Sequence, residues 1–358
     1  MTAPITPSVA DSPQRVHDAL RYGRQALPAV SRTFAISVRV LPGMLGRAVL
    51  TAYLLCRIAD TIEDDGTAAP ERKQQLLDML SRCLDDRAAA DAFPAHVTDI
   101  HGDDAHVALL RHTDVVCVLL RSLPAASRDR VVHWVREMIT GMKKFVGLYP
   151  AGIRIQTLDE YQEYCYYVAG TVGCMLTELW QLHAPSVGRE EFLALWTKCR
   201  QFGEALQTVN ILKDIAYDAT HENAIYIPEA TLAAHGSSQA TLLVESFRER
   251  NHEAVSAFVQ LAWADLDDAL TYLVYVPRRA VAIRAFCVLP LLFAYATLRE
   301  LTRSTDMLRV GGKVKISRRE VRALMCAGVV ALVSNRALRA LVARVKERPF
   351  TPLAPAAA

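Results

Sequence analysis

The chain has 358 residues, 52% of them hydrophobic and 22% charged, with a formal net charge of +3. That is ample apolar material for a large core in a globular fold. So mild a basic balance, with its cations scattered and not interleaved with aromatics, excludes a nucleic-acid surface as the main function.

The N-terminus, MTAPITPSVADSPQRVHDAL, is polar and Pro-rich without an apolar h-region, so no secretory signal is expected. Residues 1–27 are expected to form a partly disordered arm, 28–348 a single domain, and 349–358 a disordered tail. The eight cysteines (Cys56, Cys83, Cys117, Cys165, Cys174, Cys199, Cys287 and Cys326) include no CxxC pair and mostly sit in apolar runs. This usage predicts free thiols as small core residues in a reducing cytoplasm.

Helical periodicity dominates from there on, and strand signals are almost absent. Residues 43–64, GMLGRAVLTAYLLCRIADTIED, form a long apolar run ending in acid. Residues 106–146 carry two amphipathic segments broken near Pro124. The stretch GLYPAG (147–152) is a break, after which Thr157 and Glu160 give a capping-box signal for a helix over roughly 158–182. Within that helix Ala169, Gly170 and Gly173 would let another helix or a ligand approach closely. A further helix is predicted over roughly 189–218, then a loop over 219–228 ended by Pro228, then helices around 238–274, 278–301 and 317–347. The most apolar stretch, Ala285–Leu298, is shorter than the ~18 residues of a membrane span and contains Pro290. It predicts a core helix facing an apolar cavity, with no transmembrane segment. The pattern is that of an all-α single domain of about ten helices, with no βαβ unit and no GxGxxG after a strand.

Two acidic stretches carry the chemistry. In RIADTIEDDG, Asp60 and Asp64 are i,i+4 neighbours, with Glu63 and Asp65 beside them and Arg57 one turn earlier. Acids at a helix C-terminus oppose the macrodipole, so this placement costs stability unless a cation compensates. Alone, the cluster reads equally well as a solvated helix end. In QTVNILKDIAYD, Gln207, Asn210, Asp214 and Asp218 share one helical face. Two such faces on separate helices can oppose each other across a bundle and hold metal ions. Hard oxygen ligands without nearby His or Cys favour Mg²⁺ (Mn²⁺ as the alternative), which takes one or two carboxylates plus substrate phosphates.

At these residues the sequence resembles the squalene/phytoene synthase family of head-to-head prenyl transferases, and its squalene synthase branch in particular. The matching stretches run in family order from about Ser31 to Arg339: SRTFA (31–35), YLLCRIADTIEDD (53–65), YCYYVAGTVG (164–173), LQTVNILKD (206–214), FCVLPLLFAYATL (286–298) and KVKISRR (313–319). The resemblance implies an isoprenoid synthase-type helical bundle with a central apolar cavity. It implies Mg²⁺ and diphosphate at Asp60 and Asp64, supported by Glu63, and at Asp214 and Asp218, with Gln207 and Asn210 alongside. Ser31, Arg32, Phe34, Tyr53, Arg57 and Lys213 match substrate-contact positions. Tyr164 matches the tyrosine of the carbocation and proton-transfer steps. Aromatic faces at Phe34, Tyr53, Tyr164, Tyr167 and Phe286 suit an allylic cation, and apolar walls suit the exclusion of water. Phe286 and Cys287 match a second-step pocket, and Lys315 and Arg318 match a basic stretch implicated in NADPH binding.

The implied reaction joins two farnesyl diphosphates into presqualene diphosphate and reduces that to squalene with NADPH. The alternatives are a head-to-head synthase stopping at presqualene diphosphate or giving a dehydrosqualene- or phytoene-type product, a diverged prenyl transferase with another acceptor, and a non-catalytic isoprenoid-binding homologue. A cytoplasmic monomer or weak dimer is expected, like forms without a C-terminal membrane anchor, with peripheral membrane contact for product release. Four residues or stretches depart from the family pattern. Tyr217 stands where a Glu is usual, Lys213 replaces an Arg, the loop 219–228 has no Arg, and Ser317 stands where Arg is frequent.

Overall fold

The computed structural model describes residues 11–350. Those residues form an all-helical bundle, and their only β pairing is an isolated bridge between Arg154 and Ile225. At its centre lies the Gly43–Glu63 helix, buried on almost every side because apolar residues recur all round it. It packs against the Thr113–Ser122, Ala125–Leu148 and Thr171–His183 helices. The Cys199–Tyr217 helix packs against Arg248–Tyr275, Thr171–His183 and Val281–Leu301.

Most of the expected N-terminal arm is helical. Residues 1–10 lie outside the described residues, but Pro13–Val30 is a helix capped by Ser12, with Ala19, Leu20, Leu27 and Val30 in the core. The Asp11 carboxylate beneath it meets Arg15, Arg87 and Arg121 at 3.2, 3.3 and 2.8 Å. Burial opposes its charge, but the arginines prevail and hold its carboxyl below the usual range. At the other end Phe350 is still buried, its N–H donating to Glu320 Oε1 at 2.7 Å, so packed chain continues into the expected tail. Residues 351–358 of that tail lie outside the described residues.

Several expected helices are divided. The segment 189–218 breaks at Thr197–Lys198 into Arg189–Trp196 and Cys199–Tyr217. The segment 317–347 breaks before Ser334, which caps Asn335–Glu347. The first part of 238–274 is 3₁₀ turns, and the α-helix starts at Arg248. Thr157 caps the next helix as expected, its hydroxyl accepting from the Glu160 N–H at 3.2 Å.

The small residues at 169–173 admit another helix. A Cβ on Gly173 would fall 1.9 Å from the Cys199 carbonyl oxygen, and one on Gly203 would fall 2.0 Å from that of Ala169. This crossing also brings the Cys174 and Cys199 sulfurs to 3.3 Å, though all eight cysteines are free thiols and only Cys326 is exposed.

The Val281–Leu301 helix is longer than its apolar stretch suggested. Its 21 residues are enough to cross a membrane by length and composition, but 72% of its most apolar window is buried within the fold. The arginines that bracket that stretch are buried as well. Arg284 (0% exposed) donates to the carbonyls of Leu332 and Val276 and to Asn335 Oδ1, and Arg299 (1% exposed) forms a two-point pair with Glu320 at 2.9 Å.

Candidate active site

A cleft of about 830 Å³ opens between the Gly43–Glu63 and Cys199–Tyr217 helices, walled by Arg32–Arg39, Val281–Leu301 and the 314–316 segment. From the first acidic helix it receives Tyr53, Arg57, Asp60 and Glu63, followed by Asp64. Arg57 lies 3.4 Å from Asp60 and donates to the Tyr53 hydroxyl at 3.4 Å. Burial alone would weaken its charge, but Asp60 and the Tyr53 hydroxyl outweigh this and keep it protonated. The cation that the helix C-terminus requires is Lys73, whose Nζ donates to the Glu63 carbonyl at 2.6 Å from the Pro70–Cys83 helix.

Asp65 plays a separate part, accepting from the N–H groups of Thr67, Ala68 and His101 and from the Thr67 hydroxyl. Burial opposes its charge, but these donors hold its carboxyl below the usual range. It folds the loop beneath the cleft.

The second acidic helix contributes Gln207, Asn210, Lys213, Asp214 and Asp218. Lys213 pairs with its neighbour Asp214. After Tyr217 the backbone widens into a π-turn over Asp218–Glu222, closed by Asn223 in the left-handed region at φ 53°. That extra turn carries Glu222 into the cleft one step beyond Asp218 in the 210–214–218 series. Reading 219–228 as a loop concealed it, and continuing the i,i+4 count would have found it. The loop beyond is pinned by Arg154, whose guanidinium donates to the Asn223 carbonyl and to Asn223 Oδ1, both at 2.6 Å.

Six carboxylates therefore share one cleft, and burial together with mutual repulsion raises four of them. Burial, reinforced by Glu222 and Asp60, pushes Asp64 well above the usual range. Glu63 rises likewise through burial, Asp64 and Asp60. Asp218 reaches about 8 through burial, Asp214 and Asp64, and Glu222 reaches about 8 through burial, Asp218, Asp214 and Glu63. Glu63 Oε1 is buried without a hydrogen-bond partner.

This donor set fits Mg²⁺. It is all hard oxygen, over-supplied with negative charge, and has one buried oxygen unsatisfied. No three His, Cys, Asp or Glu side chains of the described residues converge tightly enough to hold an ion alone. An ion that takes one or two carboxylates and completes its shell with phosphate and water suits such spacing.

Beside the acids the cleft turns aromatic and apolar. The Tyr164 hydroxyl lies 3.4 Å from Glu63 Oε2 and 3.2 Å from the Tyr226 hydroxyl, and the two tyrosine rings stack at 4.8 Å. Burial and the charge of Glu63 push the Tyr164 phenol well above its usual range, so it keeps its proton. Phe34 and Tyr53 meet at 5.4 Å, and Val168, Leu206, Pro290 and Phe293 extend the apolar wall.

Of the residues expected here, Ser31, Arg32, Phe34, Tyr53, Arg57, Asp60, Glu63, Asp64, Tyr164, Gln207, Asn210, Lys213, Asp214, Asp218 and Lys315 line the cleft. Four do not, which corrects their placement. Tyr167 turns onto the Ala125–Leu148 helix, where its ring fills the space a Cβ on Gly141 would need. Phe286 lies behind Phe34 at 6.5 Å, edge-on to Trp180. Cys287 is wholly buried in the core. Arg318 opens the helix that Ser317 caps and is exposed away from the cleft. Tyr217, the main departure in sequence, is 52% exposed and stacks on His221. Sequence reasoning missed Glu222, and also Tyr226, Val314 and Ile316.

Comparison with known proteins adds three findings. Residues 27–320 match the family model described as squalene/phytoene synthase. Squalene synthases of Ganoderma lucidum and Schizosaccharomyces pombe are similar at 30% and 27% identity over 84% of this chain, which spans only 64% of their length. The complex structure of TcSQS with the ligand BPH1237 has a similar fold, with a TM-score of 0.79 and 24% identity over 94% of each chain.

Proposed function

Because the chain belongs to the squalene/phytoene synthase family, we propose that it joins two farnesyl diphosphates head to head and reduces the presqualene diphosphate to squalene. The observation that carries this reading is the opposition of Asp60 and Asp64 to Asp214 and Asp218 across a cleft that also presents Phe34, Tyr53, Tyr164, Leu206 and Phe293. Bound there, Mg²⁺ supplies positive charge against a departing diphosphate, and NADPH supplies the hydride.

Asp60, Asp64, Asp214 and Asp218, with Glu63 and Asn210, are the residues that would hold the metal. Arg57, Lys213 and Arg32 offer cations to the diphosphate oxygens. Once diphosphate departs, Phe34, Tyr53 and Tyr164 present ring faces to the allylic cation, each worth up to about 2 kcal/mol in a dry site. Val168, Leu206 and Phe293 exclude the water that would quench it. Tyr164 holds its proton at the hydroxyl beside Glu63, so it acts through its ring and as an O–H donor. Lys315 is the residue that would hold NADPH phosphates.

One observation favours a second reading. Of the two cations expected for NADPH, only Lys315 faces the cleft, which suits a synthase stopping at presqualene diphosphate or giving a dehydrosqualene-type product. Incubation with farnesyl diphosphate and Mg²⁺, with and without NADPH, followed by identification of the lipids, separates the two. Squalene formed only with NADPH supports the first reading. Presqualene diphosphate or a dehydro product formed regardless of NADPH supports the second, and no consumption of substrate contradicts both.

A further inference from the structure

We infer that Glu222 is a direct ligand of the divalent metal, extending the Asn210–Asp214–Asp218 face by one turn to meet Asp64 across the cleft. The inference rests on the reading of the cleft as a metal–diphosphate site and assigns that site a ligand beyond its two aspartate pairs.

The position follows from local structure. An ordinary α-helix could fray after Tyr217, but the π-turn over Asp218–Glu222 keeps the chain helical for one more carboxylate. The turn is then pressed against the end of the first acidic stretch. A Cβ on Gly66 would sit 2.5 Å from the His221 carbonyl oxygen and 3.6 Å from the Glu222 Cα, so only glycine lets the two segments touch. Glu222 is thereby the strongest like-charge neighbour of Asp64.

The Glu222 carboxylate is also uncommitted. Among the described residues no hydrogen bond or ion pair engages it, and it faces both the main cleft and a side cavity of about 130 Å³ behind it. Glu63, 5% exposed, lines the same two spaces with an oxygen that has no partner. The nearby cation, Lys73, donates to the Glu63 backbone carbonyl and forms no ion pair with the carboxylate of Glu63 or Glu222 among the described residues. The unengaged Glu222 carboxylate and the unpartnered Glu63 Oε1, facing one space, form a site that a cation completes.

The test uses the metal itself. Mn²⁺ binding to the chelator-stripped full chain is followed by electron paramagnetic resonance, with and without inorganic diphosphate, alongside the Tm of the metal-free protein. Glu222→Gln is expected to weaken Mn²⁺ binding at least about tenfold and to raise the metal-free Tm by relieving repulsion. Glu222→Asp should recover part of the affinity, and Tyr217→Ala, altering an exposed neighbour, should match the native protein. Native Mn²⁺ affinity in Glu222→Gln overturns the inference. So does a fall in affinity accompanied by a fall in metal-free Tm, which marks a structural role. Weakened Mn²⁺ binding in a chain that consumes no farnesyl diphosphate leaves the ligand assignment standing and removes the proposed reaction. Normal binding in an active chain does the reverse.

Discussion

At the residue scale, the charge crowded into the cleft makes a prediction about pH. The carboxyls of Asp218 and Glu222 are both pushed up to about 8, against about 4 in an unfolded chain. Between those values the folded protein holds protons that the unfolded one has released. The stabilisation is therefore complete below the unfolded value and is lost as pH rises through the folded one. In chelator, Tm should fall as pH rises from about 5 to about 8, and Mg²⁺ with inorganic diphosphate should flatten the decline. A Tm that is level or rising across that window contradicts it. Tyr217→Glu should leave turnover close to native, because the side chain points to solvent and stacks on His221. A product shift toward squalene in that variant would sink this reading. Spacing put each aspartate pair on one helix face, because i,i+4 is a property of any helix, and only the two pairs together pointed away from a solvated helix end. Glu222 continues the same four-residue spacing, but Asn223 and Pro228 look like loop residues and nothing in the sequence marks the π-turn that keeps the chain helical that far.

At the element scale, the buried arginines show what periodicity misses. Arg284 and Arg299 read as flanks of an apolar stretch, yet both lie inside, satisfied by carbonyls, Asn335 and Glu320. Glu320 joins three elements, accepting from Arg299 on one helix and from the Phe350 N–H after the last helix while standing on a third. Glu320→Ala leaves Arg299 with Glu300 and the Val345 and Arg348 carbonyls and should cost about 3 kcal/mol, the lower end for breaking a buried pair. Denaturant unfolding measures it, and a cost below about 1 kcal/mol would mean the pair is dispensable. Gly66→Ala probes the contact between the acidic segments. Its Cβ must displace the His221 carbonyl, so diphosphate-dependent metal binding should weaken even with the core intact. Helix type was legible almost throughout, but the breaks at Lys198 and before Ser334 were not. Neither is marked by a proline or glycine, and the second is marked only by the Ser334 cap, whose hydroxyl accepts from the Ala337 N–H.

At the scale of the whole molecule, the fold opposes two acidic faces across a cleft that also presents aromatic and apolar side chains. The most apolar helix lines that cleft with Pro290, Phe293 and Ala294 and buries most of its remaining surface in the bundle. The cleft was legible as a class of site, because two acid pairs and the aromatics between them recur in chain order. Its exact lining was not, since Phe286, Cys287, Tyr167 and Arg318 belong to matching stretches yet turn into the core or to solvent. The central claim is that both acidic faces act together on the diphosphate. It is tested most directly by the rate of product formation from farnesyl diphosphate at saturating Mg²⁺ in Asp60→Asn and Asp214→Asn, each compared with the native chain. The account predicts a fall of at least about 100-fold in both, with Tm in chelator retained. A near-native rate in either variant would contradict it.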